Sequence, residues 1–437
     1  MSSVSIQRLW WLHPAWLFAL INGSTIALAI SQSEQNYLLY NTPKYINAYH
    51  GLLAIGVILA FMVGCNLALL TGQTPKQIPK QSMALLKSSV HGLFGLTIFG
   101  YMVWLFIGIK NGFSLSLIRD VLFGDDAGMV YEVATDVFQN ISGVTTCTQF
   151  AIAAIPLGVW LYSTGYRQVA WLIGFVLAIA FFRAFILSER ISLVELVVPA
   201  TIVFVRQYML NRKIPEVMGW CLTGAPFLGV LVLLLFFGSA EYFRSWKLYQ
   251  KDFDSVAEFT VWRISGYYTT SHNNSAMVLE TNQKFALPYF TIQSLWLFPG
   301  VPKSPFGYKN LTGQDPEQQH FNILEKFATE ELNNYGGLFA PAFDFGIIGL
   351  FVYWFGCGFA AGKLYRCYRV GSIAGITLYP LVFLSILEVP RFLYIPNQRV
   401  FPSLIAIIGI IWLVSRQAQP ANSTVVELSE VAPTVSS

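Results

Sequence analysis

The chain has 437 residues, of which 55% are hydrophobic and only 11% are charged, and its formal net charge at pH 7 is +4. Soluble domains carry about 25% charged residues, and the deficit fits the high cost of placing charge in hydrocarbon, so the composition excludes a soluble globular protein and indicates a polytopic membrane protein. Because Arg and Lys form no stripe interleaved with aromatic residues in a soluble domain, the small positive charge gives no reason to expect nucleic acid as a partner.

Apolar runs along the chain predict membrane-spanning helices, because each approaches or exceeds the roughly 18 residues that a helix needs to cross a bilayer. They lack the alternation of apolar and polar residues that barrel strands show. The expected fold class is therefore all-α. The ten predicted spans are 10–30, 48–70, 89–109, 141–163, 169–187, 191–208, 218–238, 338–361, 373–387 and 400–414.

The first apolar run raises the alternative of a cleaved signal peptide. Arg8 precedes the run, and Ala27-Leu28-Ala29 near its end resembles a cleavage site. The run is long for the apolar part of a signal peptide, which favours an uncleaved helix. Cleavage would leave the orientation of the other spans unchanged.

The distribution of Lys and Arg between the spans predicts the orientation, because cytoplasmic segments are enriched in these residues. One set of segments carries twelve: Arg8, Lys76, Lys80, Lys87, Arg167, Arg206, Arg212, Lys213, Lys363, Arg366, Arg369 and Arg416. The opposite set carries seven: Lys44, Lys110, Arg119, Arg183, Arg190, Arg391 and Arg399. The richer set is expected to be cytoplasmic, with both termini and a disordered tail, 416–437, on that side.

A polar stretch, 239–337, interrupts the apolar pattern between the seventh and eighth spans. It divides the chain into spans 1–7 (residues 1–238), a large extracytoplasmic loop (239–337), spans 8–10 (338–415) and the tail. A loop of this length is usually functional or disordered. Pro316 to Asn333 has helical spacing, with Asp315 as N-cap and Pro316 in the first turn. None of the five cysteines lies in this loop and no CxxC pair occurs, so neither disulfides nor a zinc site is expected.

Charged residues lie close to the predicted membrane boundary between the fifth and sixth spans. Arg183 lies inside the fifth apolar run, Glu189 and Arg190 follow in a tight turn, and Glu195 lies inside the sixth run. Ionisable groups at such depth cost a few kcal/mol each and are functional candidates by default. The alternative is an ion pair, Arg183–Glu189 or Arg190–Glu195, that only locks two helices together.

A second group of charges lies between the last two spans, where Glu388, Arg391 and Arg399 occupy another tight connection. Snorkelling of arginine side chains to the interface is one explanation. It does not by itself favour several arginines on the face that the positive-inside rule depletes. The sequence therefore indicates a functional role for this turn.

A third set of polar side chains lies in or next to the long loop. It comprises Arg263, Tyr267, Tyr268, His272, Asn273, Asn274 and, in the eighth span, Asp344. His272 is either a general base or a hydrogen-bonded structural residue, and Asp344 is either catalytic or the cap of a helix N-terminus. Guanidinium groups bind phosphate bidentately, while tyrosine faces and amide donors suit sugars. The ligand that fits this mixture is a lipid-linked sugar pyrophosphate.

The chain resembles the bacterial O-antigen and exopolysaccharide polymerases of the Wzy type. The similarity lies in polytopic helices, one large periplasmic loop late in the chain and arginines at outer helix ends. It also lies in the Arg263 to Asn274 segment, in Phe343-Asp344-Phe345-Gly346, and in Ser188-Glu189-Arg190 followed by Leu193-Val194-Glu195-Leu196. The resemblance extends over most of the chain from Ser89 onward and implies a helical bundle similar to that of GT-C glycosyltransferases.

That resemblance implies glycosyl transfer at the outer face of the bacterial inner membrane, from undecaprenyl pyrophosphate to a hydroxyl of the next lipid-linked repeat unit. The residues implied to bind pyrophosphate and stabilise its departing charge are Arg183, Arg190, Arg263, Arg391 and Arg399. The implied general base is His272, Glu189 or Asp344. The implied substrate contacts are Tyr267, Tyr268, Asn273, Asn274 and Glu388. Neither metal nor cofactor is implied, and the expected partners are undecaprenyl-pyrophosphate-linked oligosaccharides, membrane lipids, a chain-length regulator and a flippase.

Two alternatives stay open at the level of sequence. An O-antigen ligase, which transfers the finished glycan to a lipid A core or another acceptor, uses similar chemistry. A transporter or flippase of lipid-linked oligosaccharide belongs to another class. Transport predicts polar residues along the middle of the bundle, whereas most polar residues here lie at the predicted outer boundary, which favours an enzyme.

Overall fold

The computed structural model describes residues 9–71, 82–114, 116–117, 119, 136–139, 141, 143–187, 190–211, 215–281, 285–329 and 332–417. Helices account for 77% of the structure, and no strand occurs within these ranges. The predicted all-α fold class is therefore confirmed.

Most helices before the polar stretch are long and apolar. They are Pro14–Ser31 (α1), Glu34–Leu38 (α2), Ala48–Leu70 (α3), Met83–Lys110 (α4), Ala151–Ser163 (α5), Ala170–Ile186 (α6), Arg190–Asn211 (α7) and Glu216–Arg244 (α8). Short 3-10 turns precede α1, α5 and α6 at Trp10–Leu12, Thr145–Phe150 and Arg167–Val169.

The polar stretch is itself helical for much of its length. Its helices are Trp246–Tyr249 (α9), Val256–Glu280 (α10), Gln293–Trp296 (α11), Tyr308–Thr312 (α12) and Pro316–Phe327 (α13). The last part of the chain forms Ala340–Val370 (α14), Ile373–Glu388 (α15) and Phe401–Gln417 (α16).

Within the described ranges, eight helices are long and apolar enough to cross a membrane, so the chain is a multi-pass membrane protein. They are α1, α3, α4, α7, α8, α14 and the two helices formed by α5 and α6 with their preceding 3-10 turns. The ninth and tenth predicted spans coincide with α15 and α16, which are apolar but shorter, at 16 and 17 residues.

Close backbone contact between α3 and α14 forms the centre of the bundle. Gly358 and Gly362 lie four residues apart on α14, and a Cβ atom at either would collide with a backbone carbonyl of α3, that of Phe61 or Cys65. Small residues at this spacing let two membrane helices approach closely. The ring of Phe18 on α1 stacks on Phe61 with 4.0 Å between centroids, which joins α1 to the same core.

The Arg263 to Asn274 segment lies within α10, which packs between α1, α8 and α14. The helix starts at an N-cap, where the Ser255 hydroxyl accepts a hydrogen bond from the amide of Glu258. Further along, hydroxyls donate to the carbonyl four residues earlier, as Thr270 does to Gly266 and Ser275 to Ser271. A hydroxyl satisfied on its own helix can be buried without an unpaired polar atom.

The helix predicted from Pro316 is confirmed at its start. Pro316 is the first residue of α13, and the Asp315 carboxylate accepts a hydrogen bond of 3.2 Å from the amide of Gln318. The helix ends at Phe327 instead of Asn333. Its amphipathic face packs Ile323 and Leu324 against Met277 of α10.

Candidate functional site

Polar side chains from distant parts of the chain meet at the end of the bundle where α4 and α6 finish and α7 and α16 begin. We call this the charged end. Here a cavity of about 340 Å³ opens among the helix ends. Its lining residues are Tyr101, Thr145, Thr146, Thr148, Gln149, Ile152, Arg183, Ser192, Glu195, Leu196, Gln398 and Arg399. The cavity therefore combines two guanidiniums, one carboxylate and a set of hydroxyls and amides.

Arg399 and Glu195 form a two-bond ion pair in the cavity wall. The Nε atom of Arg399 lies 3.0 Å from Oε1 of Glu195, and a terminal nitrogen lies 3.4 Å from Oε2. The Glu195 side chain is only 5% exposed, whereas that of Arg399 is 28% exposed. The buried carboxylate therefore fixes the orientation of a guanidinium that keeps access to solvent. The ion pair that the sequence suggested between Arg190 and Glu195 involves a side chain outside the described residues.

Arg183 reaches the same cavity from the last turns of α6. One of its terminal nitrogens donates a hydrogen bond of 3.3 Å to the hydroxyl of Thr148, and its guanidinium lies 5.7 Å from the ring centroid of Trp104. Arg183 and Arg399 are far apart in the chain and line the same cavity.

Arg391 and Glu388 form a neighbouring pair at the end of α15. Their nitrogen and oxygen atoms lie 3.0 Å apart, and the guanidinium of Arg391 lies 5.8 Å from the ring of Tyr267. Burial and the Glu388 carboxylate raise the pKa of the Tyr268 hydroxyl, while Arg391 opposes the shift. Tyr268 is therefore a neutral hydrogen-bond donor near this pair.

Arg263 lies apart from the cavity, in a buried ion pair. Its Nε atom is 3.5 Å from a carboxylate oxygen of Glu241, and the two side chains are 2% and 0% exposed. The rings of Tyr249 and Tyr267 lie 5.7 and 5.4 Å from its guanidinium. Arg263 is therefore enclosed and is not among the residues that line the cavity, and its expected binding of pyrophosphate stays a prediction.

His272 is fully buried within α10, which is not one of the eight long apolar helices. Its Nε2 atom lies 3.0 Å from the hydroxyl of Thr25 on α1. Burial lowers the pKa of His272 to about 3, so the imidazole is neutral at ordinary pH. This geometry fits the structural alternative that the sequence left open for His272, and its role as a general base stays a prediction.

Asn273 and Asn274 are also buried, and their amides bind the protein itself. The Asn273 carbonyl accepts from the amides of Tyr45 and Ile46, at 2.7 and 3.0 Å, and its NH2 group donates to the carbonyl of Pro43. The Asn274 amide donates to backbone carbonyls of residues 332 and 334. These amides hold two chain segments against α10, and the sugar contacts expected of them stay a prediction.

Asp344 organises a turn of the polar stretch. One carboxylate oxygen accepts from the amides of Tyr289 and Phe290, and the other accepts from both the amide and the hydroxyl of Thr291, at 2.7 Å each. Two residues later, Gly346 interrupts α14 with φ of 71°, a conformation that favours glycine. With four hydrogen bonds from the protein, this carboxylate fixes the backbone of residues 289–291, and its expected role as a base stays a prediction.

Two expected site residues fall outside this description. Glu189 lies outside the described residues, and only the backbone of Arg190, the first residue of α7, is described. Within the same ranges, no group of three His, Cys, Asp or Glu side chains is placed to hold a metal ion.

The cavity also contains residues that the sequence-based site did not include. Among them are Thr145, Thr146, Thr148 and Gln149, which lie in the predicted span 141–163, where hydroxyl and amide groups are unusual. That polar interruption of an apolar run was the signal available for them. Comparisons with protein-family models, with curated proteins and with solved structures find no match to this chain.

Proposed function

We propose that this protein polymerises undecaprenyl-pyrophosphate-linked oligosaccharide repeat units into O-antigen or exopolysaccharide at the outer face of a bacterial inner membrane. The observation that carries the proposal is the shared cavity of Arg183 and Arg399, with a buried carboxylate and several hydroxyls and amides in its wall. Guanidiniums suit the pyrophosphate, and the hydroxyls and amides suit the sugar. The positive-inside distribution favours an outward-facing charged end.

In the proposed reaction, the hydroxyl oxygen of the acceptor sugar forms a bond to the anomeric carbon of the growing glycan. The bond between that carbon and the pyrophosphate oxygen breaks, and undecaprenyl pyrophosphate leaves with the electron pair. Arg183 and Arg399 stabilise the negative charge that develops on the leaving group. Because Glu195 holds Arg399 through two hydrogen bonds, it fixes the direction of that guanidinium.

The hydroxyl proton needs an acceptor at the cavity. His272 and Asp344 are engaged elsewhere in the fold, so Glu195, the carboxylate among the lining residues, takes their place in the proposal. Both of its oxygens accept hydrogen bonds from Arg399. Pyrophosphate binding to Arg399 would compete with that ion pair and release the carboxylate for the acceptor hydroxyl.

The test compares variants in a strain from which the gene has been deleted. Arg399→Lys keeps the positive charge but removes the planar fork, and we expect single repeats on the lipid anchor in place of long chains. Arg416→Lys is the matched control, since Arg416 lies on the exposed surface at the opposite end of α16 and stacks on Trp412. Normal chain length with Arg399→Lys would contradict the proposed role. In the deletion strain, unattached long chains would indicate a ligase, and complete loss of surface glycan would indicate a flippase.

A further inference from the structure

An apolar space adjoins the cavity of the charged end. It has a volume of about 330 Å³ and shares Thr146, Gln149 and Gln398 with the cavity. Away from these shared residues its wall is formed largely by apolar side chains. Among them are Phe150, Leu297, Phe298, Phe401, Pro402 and Ile405.

This space continues along α16 into an open groove on the surface of the bundle. The groove has a volume of about 580 Å³, shares Ala406 with the apolar space, and is lined by Ser89, Gly92, Leu93, Gly95, Leu96, Ala406 and Ile410. From Phe401 to Ile410 the helix advances about 14 Å at 1.5 Å per residue. A polar, cationic cavity and a long apolar groove are therefore joined through shared wall residues.

Glycines create the groove on the α4 side. Gly92 and Gly95 are exposed, and a Cβ atom at either position would meet nothing within 4 Å. They differ in this from Gly358 and Gly362, which are needed for contact between α3 and α14. The absence of a side chain at these two positions leaves the groove open along α4.

We propose that this groove holds the hydrocarbon chain of the lipid-linked substrate while its pyrophosphate lies beside Arg183 and Arg399. The assignment of the headgroup rests on the proposed function. The apolar part of the path follows α16, an apolar helix, away from the charged end and so leads toward the interior of the membrane. A cationic cavity at one end and the apolar groove at the other match an amphiphile with an anionic head and a long chain.

The test fills the groove without disturbing the fold. Gly92→Phe and Gly95→Phe add a ring where the structure has open space, and Gly174→Phe on α6 makes the same change at an equally open position outside the groove. Purified full-length variants in nanodiscs receive repeat units carried on undecaprenyl pyrophosphate or on geranyl pyrophosphate. With the undecaprenyl substrate, we expect the groove variants to lower the polymerisation rate by about tenfold. This is the factor that corresponds to losing the burial of two methylene groups. All variants should polymerise the geranyl substrate at the wild-type rate. Gly174→Phe should also polymerise the undecaprenyl substrate at the wild-type rate.

A second measurement uses undecaprenyl pyrophosphate with a photoreactive diazirine in its chain. The expected labels fall in residues 89–96 of α4 and 402–410 of α16. Labels confined to other helices, or groove variants as fast as Gly174→Phe on the undecaprenyl substrate, would overturn the proposal. If the wild-type protein polymerises neither substrate, the proposed function fails, and the positions of the photolabels alone decide whether the groove binds the chain.

Discussion

The cavity of the charged end and the buried helix α10 are both rich in polar side chains inside an apolar bundle, yet they use those side chains in opposite ways. In the cavity, hydroxyls, amides and two guanidiniums line an open volume of about 340 Å³. In α10, residues 269–275 are at most 1% exposed, and several of their side chains bond to backbone carbonyls or amides. A cluster of polar side chains inside a membrane protein can therefore line a cavity or hold the fold together. Which of the two it does depends on whether the side chains face open space or other parts of the chain.

The largest expected effect lies in the α10 region. Glu241→Gln removes the carboxylate charge that faces the buried guanidinium of Arg263, and breaking a buried pair costs about 3–5 kcal/mol. We expect a loss of that size in unfolding free energy, measured by denaturant titration of the purified protein. The double variant Glu241→Leu, Arg263→Met removes both charges and should recover most of the loss. Equal stability of Glu241→Gln and the wild type would show that the pair does not hold α10.

Removing a charge from the cavity should lower the polymerisation rate and leave the unfolding free energy almost unchanged. Arg183→Gln removes a donor to the leaving pyrophosphate, and we expect about a hundredfold fall in polymerisation rate, corresponding to ~2.7 kcal/mol. Because Arg183 lies at a cavity and not in a closed core, the unfolding free energy should change little. Polymerisation assays and denaturant titration on the same preparation separate the two effects. A large loss of stability with an unchanged rate per folded molecule would show that Arg183 stabilises the fold, as the buried pair of Arg263 does, and does not act on the substrate.

The buried histidine offers a pH-dependent test of the same comparison. The folded-state pKa of His272, about 3, lies below its ordinary value of 6.5, so the unfolded chain binds the proton more tightly. The resulting stability is present above pH 6.5 and declines as the pH falls toward 3. Between pH 7 and pH 5 we expect the wild type to lose about 2 kcal/mol of unfolding free energy through this group. His272→Gln should lack this decline in denaturant titrations, and an equal decline in both proteins would contradict the assignment.

The sequence predicts the apolar scaffold well because hydropathy follows directly from the solvent that a membrane helix meets. The span predicted at 48–70 coincides with Ala48–Leu70, and the last predicted span, 400–414, lies almost wholly within Phe401–Gln417. Hydropathy alone could not predict that the polar residues of α10 are buried. Its polar run is buried because Asn273 and Asn274 find partners far along the chain, and such partners appear only in the folded protein.

The site was predictable in part for a similar reason. Arg183 and Arg399 were expected at one membrane boundary, because charge at helix ends follows from topology. Their meeting in one cavity, and the choice of Arg399 as the partner of Glu195, depend on how α6, α7 and the segment before α16 pack. Side-chain geometry of this kind lies beyond what residue spacing along a helix can specify.

The smallest expected effect concerns Thr146, which lines both the polar cavity and the adjoining apolar space. Thr146→Val keeps the shape of the side chain and removes one hydroxyl, and we expect about a threefold lower polymerisation rate, ~0.7 kcal/mol. Thr164→Val is the matched control, because Thr164 follows the far end of α5 and its hydroxyl bonds to the carbonyl of Leu161. Polymerisation kinetics of the two variants decide the point: a deficit shared by both would be a general effect of losing a hydroxyl. A deficit confined to Thr146→Val would indicate that the junction between cavity and groove contacts the substrate.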